Sequence, residues 1–206
     1  MNGSRPRIGT VVVRVLACAA ALVLLMRVDA SLVPALRVDD PETLKTRDWW
    51  QFLRVFGYLP LWLVAGAALV LSSRSSGPAR ARSSLGPAVI FSSAAAGLVA
   101  ELVKRLVGRE RPMADDYSYT FKPFLGAFSD GSNLGMPSSH TAVAFGAAFA
   151  VARLAPAPGW LLLVMAAGCG LSRLLVGAHY ASDVFVGAVI GYACAAALAR
   201  RPRAHF

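Results

Sequence analysis

The sequence predicts an all-α integral membrane protein, a bundle of six spanning helices. Composition is the first reason: of 206 residues, 56% are apolar and only 16% charged, and the mean hydropathy is +0.56, unlike an ordinary soluble domain. The second is that the apolar residues run in blocks of about 17 to 19 residues, near the length a helix needs to cross the hydrocarbon core. The third is that Lys and Arg gather at the ends of these blocks, where they meet headgroups.

The first block, residues 8–26, follows Arg5 and Arg7. Its basic start and the small residues near Ala30 fit a cleaved signal peptide, the alternative reading. It is long for a signal-peptide core and five further blocks follow, so a retained span is the leading one. Residues 27–54 read as a polar connection with Pro34, Pro41 and the acidic run Asp39, Asp40 and Glu42. That connection suits a short interfacial helix, with Trp49 and Trp50 either at headgroup depth or simply packed in a loop. The remaining spans are 55–71, 85–103, 138–154, 159–176 and 181–199. A Ser/Gly/Arg-rich segment covers 72–84, a Pro-containing turn 155–158, and a long polar connection 107–137 carries Asp115, Asp116, Lys122 and Asp130. One membrane-embedded domain, 1–206, with its motifs inside 104–183, is the expected organisation. Gly187 and Gly191 form a GxxxG pattern, which suits close packing inside the bundle better than a dimer face; the oligomeric state stays open.

Six spans put both termini on one side, with Arg5, Arg7, Arg74, Arg80, Arg82, Arg153, Arg200, Arg201 and Arg203 and no Asp or Glu. The positive-inside rule makes that side cytoplasmic, although the opposite loops hold a similar number of basic residues among nearly all the acids. The formal charge of +10 follows this membrane pattern rather than a continuous basic groove, so nucleic acid is not an expected partner. Cys18, Cys169 and Cys194 lie inside apolar blocks without metal-ligand spacing and read as small buried hydrophobes.

Ionisable residues at membrane depth are costly and therefore candidates for function. Lys104 and Arg111 bracket the end of the third span, and Pro112 pushes Arg111 out of the helix, which should stop near Gly108. Met136-Pro137-Ser138-Ser139-His140 reads as a helix start capped by Ser138 or Ser139, and its unpaired N–H groups favour an anion. Arg173 lies inside the end of the fifth span. His179 and Asp183 are spaced i, i+4, so that the carboxylate can fix one imidazole nitrogen and leave the other free. Taken singly, each basic residue also reads as snorkelling and the His–Asp pair as structural. Together they converge, because His140 and His179 lie at span ends on one side, while the third histidine, His205, is in the basic tail. Glu101, three residues before Lys104, reads either as its ion-pair partner or as a vestibule residue.

The ordered set Lys104, Arg111-Pro112, Pro137-Ser138-Ser139-His140, Ser172-Arg173, His179 and Asp183 resembles the type 2 phosphatidic acid phosphatase (PAP2) superfamily, in its membrane-bound lipid phosphatase branch. That superfamily also holds bacterial acid phosphatases and vanadium haloperoxidases. The resemblance implies His179 as nucleophile, forming a phosphohistidine, with Asp183 orienting it and His140 as general acid and base. It implies phosphate binding by Lys104, Arg111, Ser138, Ser139 and Arg173, and neither metal nor cofactor. Ser139 is a departure, standing where the commonest pattern has Gly; its hydroxyl either adds a donor or narrows the pocket. The implied substrate is a lipid phosphate drawn from the bilayer to an extracytoplasmic site of a bacterial inner membrane. An isoprenyl (undecaprenyl-type) diphosphate leads; phosphatidylglycerophosphate, phosphatidic acid and a lipid A phosphate are the alternatives. A non-catalytic lipid-phosphate binding or transport protein is the reading from another class, and haloperoxidase chemistry is disfavoured by the spans around the site.

Overall fold

The computed structural model describes residues 8–75, 84–112 and 117–199. Among these the chain is all-α: α1 (Ile8–Leu36), α2 (Pro41–Lys45), α3 (Asp48–Val55), α4 (Leu59–Ser75), α5 (Leu85–Val107), α6 (Phe124–Ser129), α7 (Ser139–Leu154), α8 (Pro156–Leu175) and α9 (Ala181–Leu198). Two isolated bridges, Arg109 with Phe121 and Glu110 with Leu134, tie the connection after α5 to itself.

The centre of the bundle is α7, which packs against α5, α8 and α9. At 16 residues it is only about 24 Å long. It is surrounded because its residues are small: Ala142, Ala144, Ala147, Ala148 and Ala150 are fully buried, and Ala or Gly lets helix backbones approach closely. The GxxxG of α9 serves this packing. A Cβ on Gly187 would lie 2.6 Å from the Ser138 carbonyl oxygen, and one on Gly191 2.6 Å from Gly146 N.

Four described helices are long and apolar enough to cross a membrane, namely α1, α5, α8 and α9. The pair α3 and α4 meets the same test only as one span bent by 63°. The second predicted span is thus a broken one, and the break falls at Gly57, which is wedged against His140. A Cβ there would come within 2.6 Å of the His140 Cβ, so only glycine lets the chain turn this close.

The polar connection predicted for 27–54 is largely helical instead. α1 continues ten residues beyond the expected end, through Pro34, because Asp29 is buried with hydrogen-bond partners rather than solvated. Trp50 takes the packed alternative: it is buried, and its indole N–H donates to the Ser172 carbonyl at 3.0 Å. Trp49, by contrast, is half exposed. α5 ends as expected at Gly108, whose left-handed conformation (φ 68°) returns its N–H to the Lys104 carbonyl. Arg5, Arg7, Arg80, Arg82, Asp115, Asp116, Arg200, Arg201, Arg203 and His205 lie outside the described residues.

Candidate active site

The predicted site residues are carried by helix ends that meet at one end of the bundle. Lys104 comes from the last turn of α5, Ser139 and His140 from the first turn of α7, Arg173 from the last turn of α8. His179 follows in the short link before α9, and Asp183 sits in the first turn of α9. A direct bond joins α5 to α7, Lys104 Nζ donating to Ser139 Oγ at 2.7 Å. His179 Nδ1 lies 3.5 Å from Asp183 Oδ2, which leaves Nε2 as the nitrogen directed elsewhere. His140 is within electrostatic reach of Arg173, His179, Arg54 and Lys104, and Arg111 within reach of both Lys104 and Arg173. Burial holds the His179 imidazole below its ordinary range, with the nearby Asp183 acting in the opposite sense, so at neutral pH the ring is uncharged.

Ser138 is placed differently from expectation. Its N–H donates to the Asp183 carbonyl at 3.0 Å, and its buried hydroxyl caps α7 by accepting from Thr141 N and Thr141 Oγ1. With its own N–H committed, Ser138 ties α7 to α9 instead of facing an anion. The N–H groups that remain for one are those of Ser139 and His140.

Ser139 uses its hydroxyl twice. Besides accepting from Lys104, it donates to Glu101 Oε1 at 2.5 Å, while Lys104 Nζ and Glu101 Oε1 are 3.2 Å apart. The three close a triangle, so Glu101 is the lysine's partner while its side chain stays half exposed.

The other cations contrast with Lys104. Arg54, Arg111 and Arg173 form no ion pair among the described residues, and Arg173 Nε is buried without a hydrogen-bond partner. Buried or clustered cations without counter-charge are costly, and this donor set fits an oxyanion with several acceptor oxygens.

Behind the site lies a network that the sequence did not disclose. Arg109 is fully buried; it forms an ion pair with Asp183 Oδ1 and donates to Ser182 Oγ at 2.7 Å. Its guanidinium stacks 4.7 Å from the Tyr119 ring centroid and 5.0 Å from that of Tyr180. Asp29 of α1 accepts from Ser182 N at 3.2 Å, from Ser182 Oγ, and from the Tyr119 hydroxyl at 2.9 Å. Asp183 also accepts from Tyr180 N at 2.8 Å, so its carboxylate is held by both Arg109 and the Tyr180 backbone. A charge at position 29, in the middle of what proves to be α1, was the one signal available for this layer.

The membrane bundle and its ring of helix-end cations and histidines define a class, the PAP2-type membrane phosphatase fold. The PAP2 superfamily model matches residues 87–205, and the chain belongs to that superfamily. It is 39% identical over 131 residues to a lipid A 1-phosphatase of Rhizobium johnstonii, a match covering 62% of this chain and 52% of that protein. It is 32% identical over 149 residues to the decaprenylphosphoryl-5-phosphoribose phosphatase of Mycobacterium tuberculosis, covering 69% of this chain and 65% of that one. The chain thus matches about half the length of the lipid A phosphatases. A PAP2-type phosphatidylglycerolphosphate phosphatase from Bacillus subtilis shares the fold, with a TM-score of 0.59 at 16% identity over 89% of this chain and 92% of that one.

Proposed function

We propose that this protein hydrolyses the phosphate of a membrane lipid through a covalent phosphohistidine. The observation that carries the reading is the group of cations around two histidines: among the described residues Arg54, Arg111 and Arg173 have no carboxylate partner, and of the two rings only His179 has a carboxylate beside it. Lys104, Arg111 and Arg173, with the N–H groups of Ser139 and His140, hold the phosphoryl oxygens. His179 Nε2 attacks phosphorus in line as the bond to the leaving oxygen breaks. His140 gives that oxygen its proton, then takes one from a water that displaces His179 from phosphorus. Free phosphate leaves and both rings return to their starting states.

The substrate we propose is an isoprenyl diphosphate of the undecaprenyl type, dephosphorylated at the extracytoplasmic face while its tail stays in the bilayer. A lipid A phosphate is the second reading, favoured by the 39% identity to lipid A 1-phosphatases. Phosphate release by detergent-purified protein, from a panel of isoprenyl diphosphate, lipid A, phosphatidylglycerophosphate and phosphatidic acid, tests both. His179→Ala should release none, a loss of at least about 1,000-fold. Full release by that variant sinks the mechanism, and chelator-sensitive release sinks its metal-free form. If the wild type binds these lipids but releases phosphate from none, a binding or transport role takes its place.

A further inference from the structure

Arg54 belongs to none of the motifs and precedes the segment matched by the family model, yet the fold fixes it beside the proton donor. Its carbonyl accepts the Gly57 N–H at 3.0 Å and lies 3.9 Å from Cys169 Sγ, one helical turn before Arg173. Gly57 in turn packs directly on His140. The Arg54 guanidinium carbon sits 5.7 Å from the Trp50 ring centroid, and that of Arg173 sits 6.0 Å from the same ring. Trp50 cannot swing away, because it is buried and bonded to the Ser172 carbonyl. The Arg54 side chain itself is exposed, with no hydrogen bond or ion pair among the described residues.

Arg173 and Lys104 lie within reach of both His179 and His140, and Lys104 within reach of Arg111. Arg54 enters from the His140 side, through Gly57 packed on that histidine, with its guanidinium and that of Arg173 on the same Trp50 ring. In an in-line displacement the leaving group lies opposite the nucleophile, on the side of the proton donor. An alcohol that receives a proton there is neutral and has no use for a fixed cation. A phosphorylated leaving group keeps negative charge after the bond breaks, and a guanidinium matches it.

We propose that Arg54 is a specificity-determining residue that binds the second phosphoryl group of a diphosphate, the one that departs still attached to the lipid. The inference rests on the phosphatase reading above and adds which lipid phosphate is preferred. In the step itself, the bond between terminal phosphorus and bridging oxygen breaks as His179 Nε2 bonds to that phosphorus. The bridging oxygen takes the proton from His140 and leaves on the lipid monophosphate, its remaining charge facing Arg54.

The test compares farnesyl diphosphate with farnesyl monophosphate, which share a tail, in detergent-solubilised wild type, Arg54→Gln, Arg54→Lys and His179→Ala. Arg54→Gln should lower kcat/KM for the diphosphate about tenfold more than for the monophosphate, and Arg54→Lys should regain part of the preference. An unchanged ratio between the two substrates in Arg54→Gln overturns the proposal, as does a wild type that favours the monophosphate. The ratio is read within one preparation, so partial misfolding cancels. Turnover by His179→Ala on either substrate would instead refute the underlying mechanism.

Discussion

Arg109 and Arg111 are separated by a single residue, and the protein treats them in opposite ways. Arg109 is fully buried, ion-paired to Asp183 and stacked between two tyrosine rings. Arg111 is exposed, and its side chain engages no carboxylate among the described residues. The same split runs through the whole end of the bundle. The layer behind His179, made of Asp183, Arg109, Ser182, Asp29 and Tyr119, pairs its cation with a carboxylate, although Arg109 Nε and Nη1 have no hydrogen-bond partner among the described residues. The layer in front, with Arg54, Arg111 and Arg173, has no carboxylate partner for its cations among the described residues. Internal pairing gives the rear layer a fixed geometry, whereas the front layer has its binding capacity still to spend on an anion.

The strongest way to break this comparison is to neutralise each arginine in turn. Arg109→Met strands the Asp183 carboxylate at zero exposure, and loss of one partner of a buried pair costs about 3–5 kcal/mol. Arg111→Met, on a surface position, should cost less than about 0.5 kcal/mol. Activity per folded molecule should fall about 100-fold in Arg111→Met through the lost phosphate contact. Thermal unfolding in detergent and kcat/KM on the same preparations read both quantities. Equal destabilisation by the two substitutions would erase the distinction between the layers.

Asp29 sharpens the rear layer from another direction, since it joins α1 to the start of α9. Asp29→Ala removes the acceptor of Ser182 and of the Tyr119 hydroxyl, at an expected cost of about 1–3 kcal/mol. The Tyr119 phenol is pushed up to about 12, first by burial and then by its bond to Asp29. A group raised in this way contributes stability below its ordinary value of about 10, and that contribution disappears as pH rises through about 12. In Asp29→Ala the phenol should ionise nearer its ordinary value without reaching it, because burial remains. Ultraviolet titration against a Tyr119→Phe control measures the difference, and an unchanged titration would remove Asp29 from the network.

These two layers also differ in how far the sequence discloses them. Lys104, Arg111, His140, Arg173, His179 and Asp183 stand out because each is ionisable at the end of an apolar block, and that signal depends only on local context. Gly108 could be read as a helix stop for the same reason. Arg109 looked like a part of the Gly-Arg-Glu-Arg-Pro run after α5, and its burial depends on Tyr119, Tyr180 and Asp183, up to 74 positions away. Asp29 falls inside the polar connection predicted for 27–54, and the tertiary partners that let the helix continue through it are distant in sequence. The bend between α3 and α4 was hidden likewise, since nothing near Gly57 announces that His140 will press against it. Ser138 was legible as a cap, but the destination of its N–H was not.

Ser139 gives the smallest expected effect and probes where the two layers touch. Its hydroxyl spans Lys104 and Glu101, so it brings to a front-layer cation the internal pairing that marks the rear. Ser139→Gly restores the residue usual at this position and removes both hydrogen bonds, leaving Lys104 with Glu101 alone. One neutral-to-charged bond is worth about 1.5 kcal/mol at the low end, so KM should rise about tenfold, with kcat less affected. If the hydroxyl works through the triangle, Glu101→Gln and Ser139→Gly should be non-additive, the second substitution changing little once the first is made. Additive effects would mean that Ser139 and Glu101 act on Lys104 independently. A gain in kcat/KM for Ser139→Gly would mean that the serine only crowds the anion, because relief of crowding is the one route by which losing two hydrogen bonds improves catalysis.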